Sequence, residues 1–303
     1  MSDTANNSGA IPPTIGVFDS GFGGLTVLRA LIKRIPQARF AFLGDTARLP
    51  YGSKSRRTIA RYAAQSAQFL VREQGAEYLV IACNTASALA LDAIRNAVPS
   101  TVSVIGVIEP GARAARIASK TGDVLVIATD ATVQSHAYAA ACRALGLRAH
   151  EKACPLLVPL VEEGWIGLSN VSDAGAAQAA SAPPQVAVTR QVIRIYLDEL
   201  FAEAAAAGLN PDILVLGCTH YPLLKPILEQ MIPAGIEIID SAESATDQLV
   251  MDLCYDLSPL PPPTESDPLL RCFATDSVEK FERLGSRFLG RPVGKVELVD
   301  LGG

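Results

Sequence analysis

The chain has 303 residues, of which 49% are hydrophobic and 19% are charged, and its formal net charge is −5 at pH 7. This length suits two α/β domains or one large one, with ample material for a buried core. The small acidic excess, without a cluster of Lys and Arg interleaved with aromatic residues, argues against a nucleic-acid partner.

The polar segment at residues 1–13 has neither a basic leader nor an apolar core, so it does not predict a signal peptide, and we expect a cytoplasmic protein. We also expect no membrane partner, because no apolar run reaches the ~18 residues that a membrane span needs. The six cysteines have irregular spacing without a CxxC pair, which predicts free thiols in a reducing compartment rather than a disulfide framework.

Short apolar runs alternate with helix-like segments along the chain. TIGVF precedes LTVLRALIKRI, FAFLG precedes a helical segment at 55–73, and YLVIA precedes SALALDAIRNAV. The series continues with VSVIGVI, a helix at 110–119, DVLVIAT, a helix at 131–145, a helix at 185–207, ILVLG, IEIID, and a strand–helix–strand unit at about 270–298. This alternation predicts βαβ units and mostly parallel sheets, and the continuous apolar strands fit burial on both faces.

Two stretches interrupt the alternation. Residues 167–184 are small, polar and alanine-rich, and we interpret them as an insertion. Residues 258–268 contain consecutive prolines, which fit neither a helix nor a central strand, so they predict a loop or linker.

Polar motifs follow the first two strands. FDSGFGG contains Asp19, Ser20 and glycines that let the backbone approach a ligand closely, and GDTARLPYGSKS contains Tyr51 and Gly52. FDSGFGG matches neither a dinucleotide nor a P-loop motif, and a simple turn with a capping aspartate is the alternative interpretation. Because ligands bind beyond the carboxyl ends of parallel strands, we treat both loops as candidate site segments.

The motifs ACNTA and GCTHYP place Cys83 and Cys218 at the ends of two apolar strands, each before a predicted helix. A helix N-terminus favours the thiolate, so we expect thiol pKa values below the usual ~8.5. A zinc site built from Cys83, Cys218 and His220 would lack the close ligand pairs typical of such sites, and we predict no metal. The other cysteines lie in apolar contexts and predict small buried hydrophobes: Cys142, Cys154, Cys254 and Cys272.

Five motifs together, FDSGFGG, GDTARLPYGSKS, ACNTA, CPLLVPLVEEG and GCTHYP, resemble in order and spacing those of the glutamate racemases, within the cofactor-independent Asp/Glu racemase superfamily. The resemblance covers about residues 15–239. It implies two pseudo-symmetric α/β domains with mostly parallel sheets and an active site in the cleft between them. It divides the chain into a discontinuous first domain, 1–105 plus 221–303, and a second domain, 106–220.

The resemblance also implies an activity and its partners. The reaction would be the interconversion of L-glutamate and D-glutamate without a cofactor, supplying D-glutamate for peptidoglycan synthesis. The family generally forms homodimers, and a cell-wall precursor activates some relatives.

Roles for individual residues come from the same resemblance. Cys83 would remove the α-proton of D-glutamate and Cys218 that of L-glutamate, since two bases on opposite faces of the substrate need not move. Asp19 would assist Cys83, while His220 and Glu162 would assist Cys218; the adjacent Glu163 leaves the choice between the two glutamates open. The predicted substrate-binding residues are Asp19, Ser20, Tyr51, Gly52, Asn84, Thr85, Thr219 and His220.

Other functions remain open on the sequence alone. The nearest alternative is a racemase acting on aspartate or hydantoin, or a decarboxylase of the same fold, although GDTARLPYG together with GCTHYP favours glutamate. A non-catalytic amino-acid-binding protein would also use a two-domain cleft, but it would not need a thiol on either face. A thiol oxidoreductase is disfavoured because neither strand-end cysteine has a resolving partner two or three residues away.

Overall fold

A computed structural model describes residues 12–167, 183–253 and 269–302. The strands are β1 Thr14–Asp19, β2 Arg39–Gly44, β3 Tyr78–Ile81, β4 Ser103–Gly106, β5 Asp123–Ala128, β6 Arg148–Ala153, β7 Ile213–Gly217, β8 Glu237–Asp240, β9 Leu270–Ala274 and β10 Val296–Leu298. The helices are α1 Leu25–Arg34, α2 Arg56–Arg72, α3 Asn84–Ala97, α4 Ile108–Ala118, α5 Asp130–Gln134, α6 Ala137–Ala144, α7 Leu157–Glu162, α8 Pro184–Ala206, α9 Lys225–Leu228, α10 Ser241–Asp252 and α11 Val278–Leu289.

Three sequence predictions fall on other parts of the chain. Residues 1–11 of the polar N-terminal segment, nearly all of the predicted insertion at 167–184, and the predicted proline-rich loop at 258–268 lie outside the described residues, as does Cys254.

The strands form two separate sheets in which neighbouring strands run parallel. The larger sheet has the order β10-β9-β2-β1-β3-β4, and the smaller has the order β6-β5-β7-β8. Parallel neighbours need crossover connections, which the helices supply. The predicted α/β fold with parallel sheets is therefore confirmed, and the two sheets fit two domains.

The core follows from the apolar runs. Every residue of β1, β5 and β7 is buried, because helices cover both faces of these central strands. Helix α1 buries Leu25, Leu28 and Leu31 at helical spacing, and each such side chain contributes about 1.5–3 kcal/mol by leaving water. One buried cluster includes Val17 of the larger sheet and Leu216 of the smaller, so the apolar interior is continuous between them.

Several elements differ from the sequence predictions, which contained neither α7 nor α10. The predicted helix at 131–145 is two helices, α5 and α6, because His136 takes a left-handed conformation with φ 52° and breaks the chain direction. Strand β6 was not predicted: its sequence, RAHEKA, is polar because it forms the edge of the smaller sheet and is only partly buried.

The predicted domain division differs from the sheet pairing at one strand. It assigned residues 221–303 to the first domain, whereas β8 pairs with β7 in the smaller sheet. The strands β9 and β10 do join the larger sheet, next to β2. The exact boundaries remain a prediction. Among the helices of the described residues, none combines the length and apolarity needed to cross a bilayer.

Candidate active site

A cavity of about 460 Å³ lies where the carboxyl ends of the two sheets face each other. Its volume falls in the range typical of small-molecule sites. Every predicted site residue except Asp19 lines it: Ser20, Tyr51, Gly52, Cys83, Asn84, Thr85, Glu162, Cys218, Thr219 and His220. Two other cavities, of about 400 and 520 Å³, lie away from both strand-end thiols.

Close packing between two loops brings the motifs together. A Cβ atom on Gly23 would stand 2.3 Å from Thr219 Oγ1 and 2.5 Å from His220 Nδ1, so only glycine fits there. The hydroxyl of Thr26 donates to the carbonyl of Thr219 at 3.1 Å, across 193 positions of sequence. The glycines of FDSGFGG therefore let the first loop lie directly against the loop that carries Cys218.

Cys83 lies on the side of the larger sheet and is 5% exposed. It caps the N-terminus of α3, where its sulfur accepts from the backbone N–H of Ala86 at 3.4 Å and donates to Ser20 Oγ at 3.4 Å. Burial, together with the nearby carboxylate of Asp19, raises the pKa of the Cys83 thiol to about 12. The sequence-based expectation of a lowered pKa is therefore wrong for Cys83, because burial outweighs the helix N-terminus.

Asp19 ends β1 directly behind this thiol and is almost completely buried. Its Oδ2 accepts from the backbone N–H of Gly21 at 2.9 Å, while its Oδ1 has no partner among the described residues. Burial raises the pKa of Asp19, although the charge of His220 acts in the opposite direction. The Cys83 side thus combines two acids that both hold their protons more tightly than usual.

Cys218 lies on the side of the smaller sheet and is 6% exposed. Its sulfur stands 4.0 Å from Nδ1 of His220, and Nε2 of the same ring stands 3.1 Å from Glu162 Oε1. The second carboxylate oxygen of Glu162 lies 4.0 Å from Lys280 Nζ. Glu163, the alternative to Glu162 in the sequence, is exposed and does not line the cavity.

The charges on this side support each other. Burial opposes a charge on His220, but hydrogen bonds to Cys218 and Glu162 outweigh it and raise the pKa of His220 to about 10. Burial would raise the pKa of Glu162, but the hydrogen bond and charge of His220 lower it overall. At neutral pH the side chain facing Cys218 is therefore an imidazolium paired with a carboxylate.

The loop that carries Tyr51 is tied to the larger sheet. The Tyr51 hydroxyl donates to Asp45 Oδ2 at 2.6 Å, and Thr275 Oγ1 donates to Asp45 Oδ1 at 2.9 Å. Asp45 is completely buried, and burial with the adjacent Asp45 raises the pKa of Tyr51. The ring of Tyr51 therefore lines the cavity in a fixed position.

Sequence reasoning missed several residues of the cavity wall. Thr129 and Asp130 follow β5 directly, the same strand-end position that marked the other loops, so this signal was present. The hydroxyls of Thr129, Thr85 and Thr132 lie 3.0–3.3 Å from one another and join the two sides of the cavity. Lys280 comes from α11 near the C-terminus and had no local signal.

The lining of the cavity includes two thiols, Cys83 and Cys218, and two carboxylates, Asp130 and Glu162. Within the described ranges, no group of three or more His, Cys, Asp or Glu side chains is arranged to hold a metal ion.

The comparisons with known proteins agree with this geometry. Residues 23–249 match the family model described as Asp/Glu/Hydantoin racemase. A glutamate racemase of Koribacter versatilis is 50% identical over 310 residues, which cover 96% of this chain and 98% of that protein. The crystal structure of a glutamate racemase from Francisella tularensis in complex with D-glutamate is 33% identical, with a TM-score of 0.78 over 96% of this chain and 98% of that one.

One solved structure with lower sequence identity contains an activator as well as glutamate. The Escherichia coli glutamate racemase in complex with L-glutamate and the activator UDP-MurNAc-Ala is 25% identical, with a TM-score of 0.70 over 96% of this chain and all of that chain. Together, the family model and the relatives cover nearly the whole chain, including both cysteine motifs. This chain belongs to the Asp/Glu/hydantoin racemase family.

Proposed function

We propose that this protein is a glutamate racemase that interconverts L-glutamate and D-glutamate with two cysteine bases and no cofactor. The observation that carries the proposal is the placement of Cys83 and Cys218, which come from different sheets and line one cavity. Inverting an α-carbon requires removal of a proton from one face and delivery of a proton to the other. Two thiols on opposite walls can do this without moving.

The two sides favour different starting states. Cys218 faces the His220 imidazolium, whereas Cys83 keeps its proton because its pKa is raised to about 12. A Cys218 thiolate would take the α-proton of L-glutamate, and the Cys83 thiol would deliver its proton to the opposite face. The reverse reaction starts from the opposite protonation state, with Asp19 assisting Cys83.

The negative charge that develops during proton removal needs prepared hydrogen-bond donors. The N-terminus of α3 supplies backbone N–H groups at Asn84 and Thr85, and a helix N-terminus favours a carboxylate. Side chains of Ser20, Tyr51 and Thr219 face the same cavity. We propose that these groups, with Gly52, hold the two carboxylates and the ammonium of glutamate.

Four wider features are part of the proposal. The product D-glutamate would enter peptidoglycan synthesis, and the protein would act in the cytoplasm as a homodimer. An activating cell-wall precursor is proposed because the Escherichia coli relative is described with UDP-MurNAc-Ala. Sedimentation across a range of concentrations tests the dimer, and addition of UDP-MurNAc-Ala to the activity assay tests the activator.

The decisive experiment incubates the purified protein, freed of metal and pyridoxal phosphate, with L-glutamate in D₂O. Circular dichroism follows the loss of optical activity, and proton NMR follows deuterium at the α-carbon. We expect both signals to change together. If glutamate stays unchanged, the assay is repeated with aspartate and with UDP-MurNAc-Ala. Turnover of aspartate alone would indicate another racemase of the family. If neither amino acid changes under any of these conditions, a binding protein would be favoured.

A further inference from the structure

We infer that Tyr138 is a positioning residue that turns the side-chain amide of Asn84 so that its nitrogen faces the substrate cavity. Tyr138 lies on α6, outside all five motifs, and does not line the cavity itself. The inference deepens the proposed function and rests on it, because the group that the amide would bind is a carboxylate of glutamate.

The side-chain oxygen of Asn84 has a hydrogen-bond partner, whereas its side-chain nitrogen has none among the described residues. Asn84 is 3% exposed and lines the cavity at the first residue of α3, immediately after Cys83. Its Oδ1 accepts a hydrogen bond from the Tyr138 hydroxyl at 2.7 Å. Its Nδ2 is buried and has no partner among the described residues. Buried donors are nearly always paired, so this nitrogen points to an acceptor that arrives with the ligand.

The structure shows the amide of Asn84 in the orientation in which its oxygen, and not its nitrogen, pairs with the Tyr138 hydroxyl. In the reversed orientation the carbonyl oxygen would face the cavity, where it would repel a carboxylate, and the nitrogen would face the phenol. Tyr138 is completely buried, and burial, with a smaller effect from Cys142, raises the pKa of its hydroxyl. The hydroxyl therefore keeps its proton and remains available as a donor to the amide oxygen.

Tyr138 also contacts the strand end that carries the other thiol. A Cβ atom on Gly217 would stand 3.0 Å from Cε2 of the Tyr138 ring, and Gly217 immediately precedes Cys218. The ring thus packs against one thiol-bearing strand end, while its hydroxyl holds the residue that follows the other thiol. Replacing Tyr138 by Phe keeps the ring and removes only the hydroxyl. This variant therefore tests the hydrogen bond to the Asn84 amide while the packing of the ring against the strand end is retained.

The test compares steady-state racemisation by wild type, Tyr138→Phe, Asn84→Ala and the double variant. We expect Tyr138→Phe to raise KM for both enantiomers about tenfold, with kcat within about threefold, since one hydrogen bond that orients a binding group is lost. In the Asn84→Ala background, Tyr138→Phe should change KM less than about twofold, because the amide that it orients is absent. Tyr196→Phe is the matched control, since among the described residues the Tyr196 hydroxyl accepts one hydrogen bond, from the backbone N–H of Leu156, and Tyr196 does not line the cavity.

A second variant keeps the test informative if Tyr138→Phe folds poorly. Asn84→Asp retains an acceptor for Tyr138 but has no nitrogen donor, so we expect a rise in KM at least as large as that of Tyr138→Phe. Wild-type KM in Asn84→Asp or in Tyr138→Phe would overturn the inference, as would fully additive losses in the double variant. These results count against the inference alone when the wild-type protein racemises glutamate in the same assay. A wild type that leaves both enantiomers unchanged would instead overturn the proposed function, and the inference with it.

Discussion

The two thiol-bearing sides of the cavity have similar backbones and different charges. Cys83 and Cys218 each follow a buried parallel strand, and their sequence contexts resemble each other. Cys83, however, lies beside the buried acid Asp19, whereas Cys218 faces a chain of alternating charges, His220, Glu162 and Lys280. Similar strand ends therefore do not imply similar electrostatic surroundings, which are set by the side chains packed behind each thiol.

The largest effect should come from removing either thiol. We expect Cys83→Ser and Cys218→Ser each to lower racemisation by at least about 10³-fold, because a serine hydroxyl is a far weaker base than a thiolate at neutral pH. In D₂O, Cys83→Ser should still exchange the α-proton of L-glutamate, and Cys218→Ser that of D-glutamate. Polarimetry measures the loss, and NMR measures the exchange.

The matched control for these variants is Cys142→Ser. Cys142 is a buried thiol of α6 whose pKa burial raises to about 11, but it lies outside the cavity wall. It should retain nearly full activity. Near-normal turnover in Cys83→Ser or Cys218→Ser, or exchange of the same enantiomer in both, would contradict the two-base assignment.

A smaller and side-specific effect is expected from the groups behind the thiols. Glu162→Gln should lower the pKa of His220, because it removes a carboxylate that raises this pKa, and should lower kcat/KM about 10²-fold. Because the enantiomers have equal free energy, kcat/KM must fall equally in both directions, so the affected side is visible only by isotope effects. We expect α-deuterated L-glutamate to show the larger isotope effect in Glu162→Gln, and α-deuterated D-glutamate in Asp19→Asn.

Glu163→Gln is the control for Glu162→Gln, since it makes the same change at the adjacent exposed position. It should behave as wild type. Equal isotope effects for both enantiomers in Glu162→Gln would show that this carboxylate does not belong to one side.

The charge difference also predicts how stability depends on pH. The folded-state pKa of His220 is about 10, above its ordinary 6.5, so its contribution to folding is fully present below pH 6.5 and is lost as pH rises towards 10. Between pH 6.5 and 9.5, the urea midpoint of wild type should therefore fall more steeply than that of His220→Gln. Glu162 is ionised throughout this range, and Cys83, on the other side of the cavity, affects both proteins alike. The same comparison in a Cys218→Ser background removes the thiol that contacts His220. Parallel curves would contradict a buried imidazolium.

The sequence predicted those parts of the site in which a motif follows a strand, since the fold brings all carboxyl ends of a parallel sheet to one edge. Asp19, Cys83 and Cys218 were found in this way. The protonation behaviour of the site was harder to predict from the sequence. The pKa of Cys83 rises because the thiol is buried, and burial is not visible locally in the sequence.

Residues that act from a distance left no local signal. Tyr138 lies in an ordinary alanine-rich helix, and its role depends on a contact across 54 positions. Strand β6 was missed because an edge strand needs few apolar residues, and the break at His136 depends on a backbone conformation that is uncommon for any residue except glycine. Tertiary contacts decided each of these features.

The smallest effect is expected at the rim of the Cys218 side, where Lys280 stands 4.0 Å from Glu162 with about half of its side chain exposed (49%). An exposed ion pair contributes at most about 1 kcal/mol, so Lys280→Gln should lower kcat/KM less than about fivefold. The loss should vanish at high salt, because the Debye length shrinks to about 3 Å at 1 M. Arg283→Gln on the same helix makes the same charge change away from the cavity and should have no effect. A larger loss that persists at high salt would mean that Lys280 binds the substrate directly. The Cys218 side would then differ from the Cys83 side in how it holds glutamate as well as in how it moves the proton.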